Sequence, residues 1–177
     1  MIMFFFIEIF NKEMEASTVI SSSSGVVSSP VYFSLKQTSI KVAVIGDHQV
    51  GKTSYIYTIC KGNNEVFYLT NYGIYNIIFE ECLCKADAYF VFFDLTNGQS
   101  LETAKEIIKN IKGIIILCGN KYDSQNKVIR PIDFVLDLYK YCLKYYNISI
   151  TQKYHCFKPI ICLLRYITGK RDIHIIG

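Results

Sequence analysis

The chain has 177 residues, 51% of them hydrophobic and 19% charged, which suits about one folded domain with a full core and excludes a wholly disordered chain. The formal charge of +4 is carried by scattered lysines with no long run of one sign, so direct nucleic-acid binding is not expected. Seven dispersed cysteines read as reduced thiols of an intracellular protein. The Cys82–Cys84 pair has no histidine or second cysteine pair at ligand spacing, so it is not expected to hold a metal.

The N-terminal "MIMFFFIEIF" is apolar but broken by Glu8 and about half as long as a membrane-spanning helix. It has neither a basic start nor a small-residue cleavage site, which fits a signal peptide poorly. "STVISSSSGVVSSP" (17–30) is a serine-rich, linker-like stretch. Residues 1–31 are therefore read as a low-complexity, disordered leader and 32–177 as the folded domain.

Beyond the leader, two periods alternate. "IKVAVIG" (40–46) is a β-branched apolar run ending at glycine, as expected of a buried parallel strand. A helix is expected over 52–61, a strand over 88–95 ("AYFVFFDL"), an amphipathic helix over 100–112 and a third strand over 113–121 ("GIIILCGNK"). A helix over 131–146 starts at Pro131, where the missing N–H costs nothing. A short strand at 147–150 and a last helix at 158–168 complete an α/β fold with a mainly parallel sheet and helices on both faces.

Two motifs sit at strand ends. Gly46-Asp47-His48-Gln49-Val50-Gly51-Lys52-Thr53-Ser54 runs from a strand into a helix, the setting that a phosphate-binding loop requires. Backbone N–H groups at the helix start would meet phosphates, Lys52 would reach the β and γ phosphates, and the Thr53 hydroxyl would ligate Mg²⁺. Asn120-Lys121-x-Asp123 ends a second strand on the side where ligands of open α/β sheets collect. The Asp123 carboxylate can accept from the N1–H and exocyclic amine of guanine, two donors that adenine does not present together, and the Lys121 stem can pack over the ring.

On these residues the stretch from about 36 to 176 resembles the Ras-like small GTPases, a family with the nucleotide-triphosphatase fold built around a phosphate-binding loop. "KVAVIGDHQVGKTS", "FVFFDLTNGQSLETAK" and "IIILCGNKYD" carry the likeness. Within the family, "YYNISITQKYHCFKPIICLLRYITG" (145–169) is most similar to the nuclear-transport branch, the Ran proteins. The shared positions are the tyrosine pair, Ile148-Ser149, Tyr154, Lys158-Pro159, Leu163, Arg165 and Gly169. The resemblance implies that Ser149-Ile150-Thr151 touches the guanine, with the Ile150 N–H meeting the base oxygen, although Thr151 cannot stack as the family's lysine does.

The resemblance also implies GTP or GDP with Mg²⁺ as ligand, a monomer in nucleus and cytoplasm, and import and export receptors and a guanine-nucleotide exchange factor as partners. The chain departs from the family in four ways. His48 and Gln49 replace two small residues of the phosphate loop. "CKGNNEVFYLTNYGIY" (60–75) runs parallel to the family's first switch, with Asn71 where the Mg²⁺-binding threonine belongs and Thr70 one residue early. No Asp-x-x-Gly and no water-orienting glutamine lie between Thr53 and Tyr89, and the third strand is expected to be missing with them. The C-terminal "DIHIIG" lacks the acidic tail of the Ran branch, and its lack of a cysteine to prenylate speaks against a membrane-anchored Rab or Ras.

These departures point to a degenerate GTPase or a lost exon. Three functions stay open: a Ran-like transport GTPase that hydrolyses GTP weakly if at all, a nucleotide-binding pseudo-GTPase serving as an interaction module, and a Rab- or Ras-like vesicle-traffic GTPase.

Overall fold

A computed structural model describes residues 37–81, 85–130, 132, 134, 138 and 140–175. The leader, the Cys82–Cys84 pair and residues 131, 133, 135–137 and 139 of the helix expected at 131–146 lie outside the described residues, while 140–146 form no helix. Leu35–Gly177 clusters as one compact unit.

The described residues form strands β1 (Gln37–Gly46), β2 (Glu65–Thr70), β3 (Gly73–Glu80), β4 (Ala88–Asp94), β5 (Ile114–Asn120) and β6 (Lys144–Asn147). Helices α1 (Lys52–Cys60), α2 (Gly98–Asn110) and α3 (Lys158–Thr168) complete the named elements. The sheet order is β2-β3-β1-β4-β5-β6, parallel throughout except for the antiparallel β2–β3 pair. The expectation of an α/β fold with a mainly parallel sheet is met.

The continuous apolar runs of β1, β4 and β5 are explained by burial on both faces. On one face Val42, Val44, Phe90, Phe92 and Ile116 pack against α1 and α3. On the other, Ile45, Val91, Phe93 and Leu117 pack against Leu101, Ala104 and Ile108 of α2. Helix α2 begins two residues before its expected start because the Asn97 side chain accepts the Gln99 N–H (3.0 Å) as its N-cap.

The third strand is not missing. Residues 65–80 supply both β2 and β3, joined by a tight turn at Asn71-Tyr72. The stretch "EVFYLTNYGIYNIIFE" is rich in the β-branched and aromatic residues that suit strands. Strand β3 covers the flank of β1 opposite β4, so β1 is a central strand and not an exposed apolar edge.

A short link suffices after β3 because of stagger. Phe79 and Ala88 both stand level with Val42 of β1, so residues 81–87 need only cross one strand, about 10 Å, and need not run back along the sheet. Asp87 anchors the far end, its N–H donating to the Lys41 carbonyl (2.9 Å) and its carboxylate accepting the Lys41 N–H (2.8 Å).

The same register overturns the reading of 60–75 as a first switch. Thr70 pairs with Gly73, one residue before the Gln37–Ile74 pair, at the opposite end of β1 from Gly46. At the rise of a strand that is about 30 Å from the loop that follows Gly46. There the Thr70 hydroxyl donates to the Gly73 carbonyl (2.9 Å), and Asn71 bonds Asp172 and His174 of the C-terminal segment. Neither residue can share a metal ion with Thr53.

One helix–strand boundary also differs from expectation. The last strand is Lys144–Asn147, where a helix end was expected, and it pairs in parallel with Ile116–Gly119. Its Tyr145 ring packs between Phe93 and Phe134, a role that helical periodicity of aromatic residues conceals. Farther upstream, the Leu138 N–H donates to the Phe134 carbonyl (3.1 Å), a helical i to i−4 bond in the stretch where the helix was expected.

Candidate functional site

The C-terminal ends of β1, β4 and β5 bring the two motifs together. Gly46, Phe92 and Cys118 stand level across the three strands, and Asp94 and Asn120 follow two residues on. The loop 47–51 leaves β1 at this edge and turns into α1.

The loop's shape depends on its glycines. Gly46 has φ +147°, and a β-carbon there would lie 2.2 Å from the Phe92 carbonyl oxygen. Gly51, at φ +99°, caps α1 with no side-chain hydrogen bond, which leaves the first N–H groups of the helix for another acceptor. A β-carbon on Gly51 would lie 2.4 Å from the Asn120 amide nitrogen. Gln49 takes a left-handed φ of 56°, a conformation uncommon for a side-chain-bearing residue.

Within the loop the His48 N–H donates to the Asp47 carboxylate (2.7 Å), and Lys52 Nζ folds back to the Asp47 carbonyl (2.6 Å). Val50 is buried and holds the loop to the core; His48, Gln49, Thr53 and Ser54 are exposed.

Asn120 joins the motifs. It is buried, its Nδ2 donates to the Val50 carbonyl (2.9 Å), and its Oδ1 accepts the Ile150 N–H at 3.4 Å. One side chain thus touches the 47–51 loop and the 149–151 segment at once. Asn120→Ala leaves the Val50 carbonyl and Ile150 N–H without these partners, a cost of about 1–3 kcal/mol. Thermal denaturation of the ligand-free variant should show a midpoint several degrees below wild type.

Lys121 follows with φ 62°, and its Nζ pairs with the Asp94 carboxylate at 2.5 Å. Asp94 was not singled out in the sequence, although Asp94-x-Thr96 at a strand end is a recognisable turn signal. Burial alone would raise the Asp94 pKa. The Lys121 ammonium and two hydrogen bonds from Thr96 outweigh it and hold the carboxyl below the usual range. The ion pair directs the Lys121 head onto the end of β4 and leaves its stem as the part able to cover a ring.

A turn closed by the Ser124 N–H on the Lys121 carbonyl (3.0 Å) puts exposed Asp123 at its tip. Buried Ser149 opens the neighbouring loop and pairs with Tyr154 through both backbone bonds, 3.1 and 2.8 Å. Ile150 is half-buried and Thr151 exposed. Tyr55 of α1 ties this loop to the helix, its hydroxyl donating to the Cys156 carbonyl at 2.9 Å.

Strand β3 contributes nothing at this edge. Its last residue, Glu80, stands level with Ala43, three residues or about 10 Å short of Gly46. Between α1 and β2 only residues 61–64 intervene, with the Asn64 carbonyl accepting the Phe79 N–H at 2.7 Å. Among the described residues between α1 and β4, none returns over the loop. Among the described residues no group of three His, Cys, Asp or Glu side chains could hold a metal ion, and no helix is long and apolar enough to cross a membrane. No known protein-family model matches the chain.

Proposed function

We propose that this chain is a guanine-nucleotide-binding protein with the architecture of a small GTPase, stripped of the two loops that make such a protein a switch. The reading is carried by Asn120, which hydrogen-bonds the phosphate loop and the 149–151 segment at one strand edge. Phosphates would lie on the loop and the α1 N-terminus, near Lys52, and the base against Lys121, Asp123 and Ile150. Thermal shift with GDP and ADP side by side tests it: GDP should stabilise strongly and ADP little, and equal stabilisation sinks the guanine assignment.

Mg²⁺ fits this site only loosely. It prefers oxygen ligands and keeps several waters, so exposed Thr53 and the phosphates themselves would hold it. Bound there, Mg²⁺ would neutralise phosphate charge. Thr70 and Asn71, the expected second ligand and its neighbour, are at the far end of the sheet. Chelation with EDTA should therefore speed GDP release by less than about tenfold, a loss under about 1.4 kcal/mol. Release of a fluorescent GDP analogue measures it.

The biological assignment rests on the Ran-like stretch 145–169. It supports a role in nucleocytoplasmic transport, in nucleus and cytoplasm, with import and export receptors and an exchange factor as partners. Contacts that would need a second switch should be weak. That no described residue between α1 and β4 lies over the phosphate-binding end favours the interaction-module form of this reading, in which nucleotide stabilises the domain without toggling it. Stable membrane association of the expressed protein would favour a vesicle-traffic role instead.

A further inference from the structure

The two base-side loops are bridged by an aromatic pillar that the motifs do not include. Tyr122, between Lys121 and Asp123, stacks on Tyr154, which closes the loop begun at Ser149, with ring centroids 5.5 Å apart and planes 17° from parallel. The pillar continues on both sides. Lys127 Nζ lies 5.2 Å from the Tyr122 ring centre and donates to the Tyr122 carbonyl at 2.8 Å. Tyr154 in turn stacks on His155 at 3.6 Å, and His155 is held by the Asn147 carbonyl (3.2 Å) and Lys158 Nζ (2.6 Å).

Both tyrosines remain about 40% exposed, so the pair is not part of the hydrophobic core. The backbone around it is strained: Lys121, Lys153 and His155 all have left-handed φ, 62°, 55° and 58°. They immediately flank the two tyrosines, and left-handed side-chain-bearing residues persist only where the surroundings over-determine them. Exposed rings held at this conformational cost point to a positional task.

We propose that the Tyr122–Tyr154 stack is the positioning clasp that sets base selectivity. It fixes the Asp123 turn against the 149–151 loop, so that the Asp123 carboxylate and the Ile150 N–H address the same guanine edge. This inference rests on the guanine reading above. The clasp supplies what neither loop has alone: Asp123 sits at an exposed turn tip, and Thr151 offers no stem to lie over the base. Phosphate binding lies on the other side of Asn120 and does not depend on it.

The experiment compares wild type, Tyr154→Ala, Tyr154→Phe and Tyr122→Ala by competition binding with GDP, ADP and inorganic tripolyphosphate. In Tyr154→Ala and Tyr122→Ala, GDP affinity should fall by roughly tenfold while tripolyphosphate affinity stays within about twofold, and Tyr154→Phe should match wild type. The GDP-to-ADP ratio falls with GDP affinity. A purely structural role would lower GDP and tripolyphosphate together, and that result overturns the clasp. Unchanged GDP-to-ADP discrimination in the alanine variants overturns the clasp and leaves the guanine reading standing. Wild-type protein that does not distinguish GDP from ADP overturns both.

Discussion

Asp123→Asn should shift the preference of this protein from guanine to xanthine nucleotides. Guanine presents two donors, N1–H and the 2-amino group, to a carboxylate that only accepts. Asparagine offers one acceptor and one donor, so its amide faces the guanine amino group with a donor and the pair repels. Xanthine keeps N1–H and carries a carbonyl at position 2, which matches the amide. Charge-assisted bonds are worth about 1.5–3 kcal/mol each, so GDP affinity should fall by about 100-fold and that for xanthosine diphosphate should rise. Exposed Asp123 at a turn tip supports no packing, so the folded state should survive the change. Competition titration of the two nucleotides on wild type and variant measures the reversal. An unchanged preference would show that the base lies elsewhere.

That prediction uses residues legible in the sequence, and the reason they were legible is physical. A phosphate loop must leave a buried strand and enter a helix within a few residues, so glycines, lysine and hydroxyl fall in one short window, 46–54. Strands β1, β4 and β5 are buried on both faces and announce themselves as unbroken apolar runs. The hairpin 65–80 was hidden because its turn carries no standard two-residue signal, Asn71-Tyr72 standing where Asn-Gly would be expected.

Strand β6 was masked differently. Lys144–Asn147 continues the spacing of a helical stretch, and only its pairing with Ile116–Gly119, distant in sequence, makes it a strand. The Asp94–Lys121 ion pair and the Tyr122–Tyr154 stack join residues 27 and 32 positions apart. Single-sequence periodicity holds no record of such pairings, which only the sheet order creates.

The hairpin also sharpens what the protein should fail to do. GTP bound to this chain should be hydrolysed at roughly 10⁻⁴ s⁻¹ or more slowly, and an activating protein that supplies an arginine should add less than about tenfold. Phosphoryl transfer in this class depends on a water aligned in line with the leaving group, and charge stabilisation by an arginine acts on that arrangement. The alignment needs a side chain opposite the β–γ bridge. Strand β3, from which such a group would come, ends about 10 Å short of Gly46, and Asp87 before β4 is held at Lys41, five residues back along β1 from Gly46.

Within the loop 46–54, exposed His48 would take up space near a bound γ-phosphate, where water would sit. Gln49 is the one amide in the loop. Its left-handed backbone belongs to the turn that wraps the phosphates, so it lies on the loop side of them and not opposite the leaving group. Gln49→Ala should consequently change the single-turnover rate by less than about twofold. Single-turnover hydrolysis of radiolabelled GTP, with nucleotide occupancy measured in the same sample, separates slow chemistry from weak binding. Fast turnover that disappears in Gln49→Ala would overturn the argument, because the loop itself would then be orienting the water that the missing segments cannot.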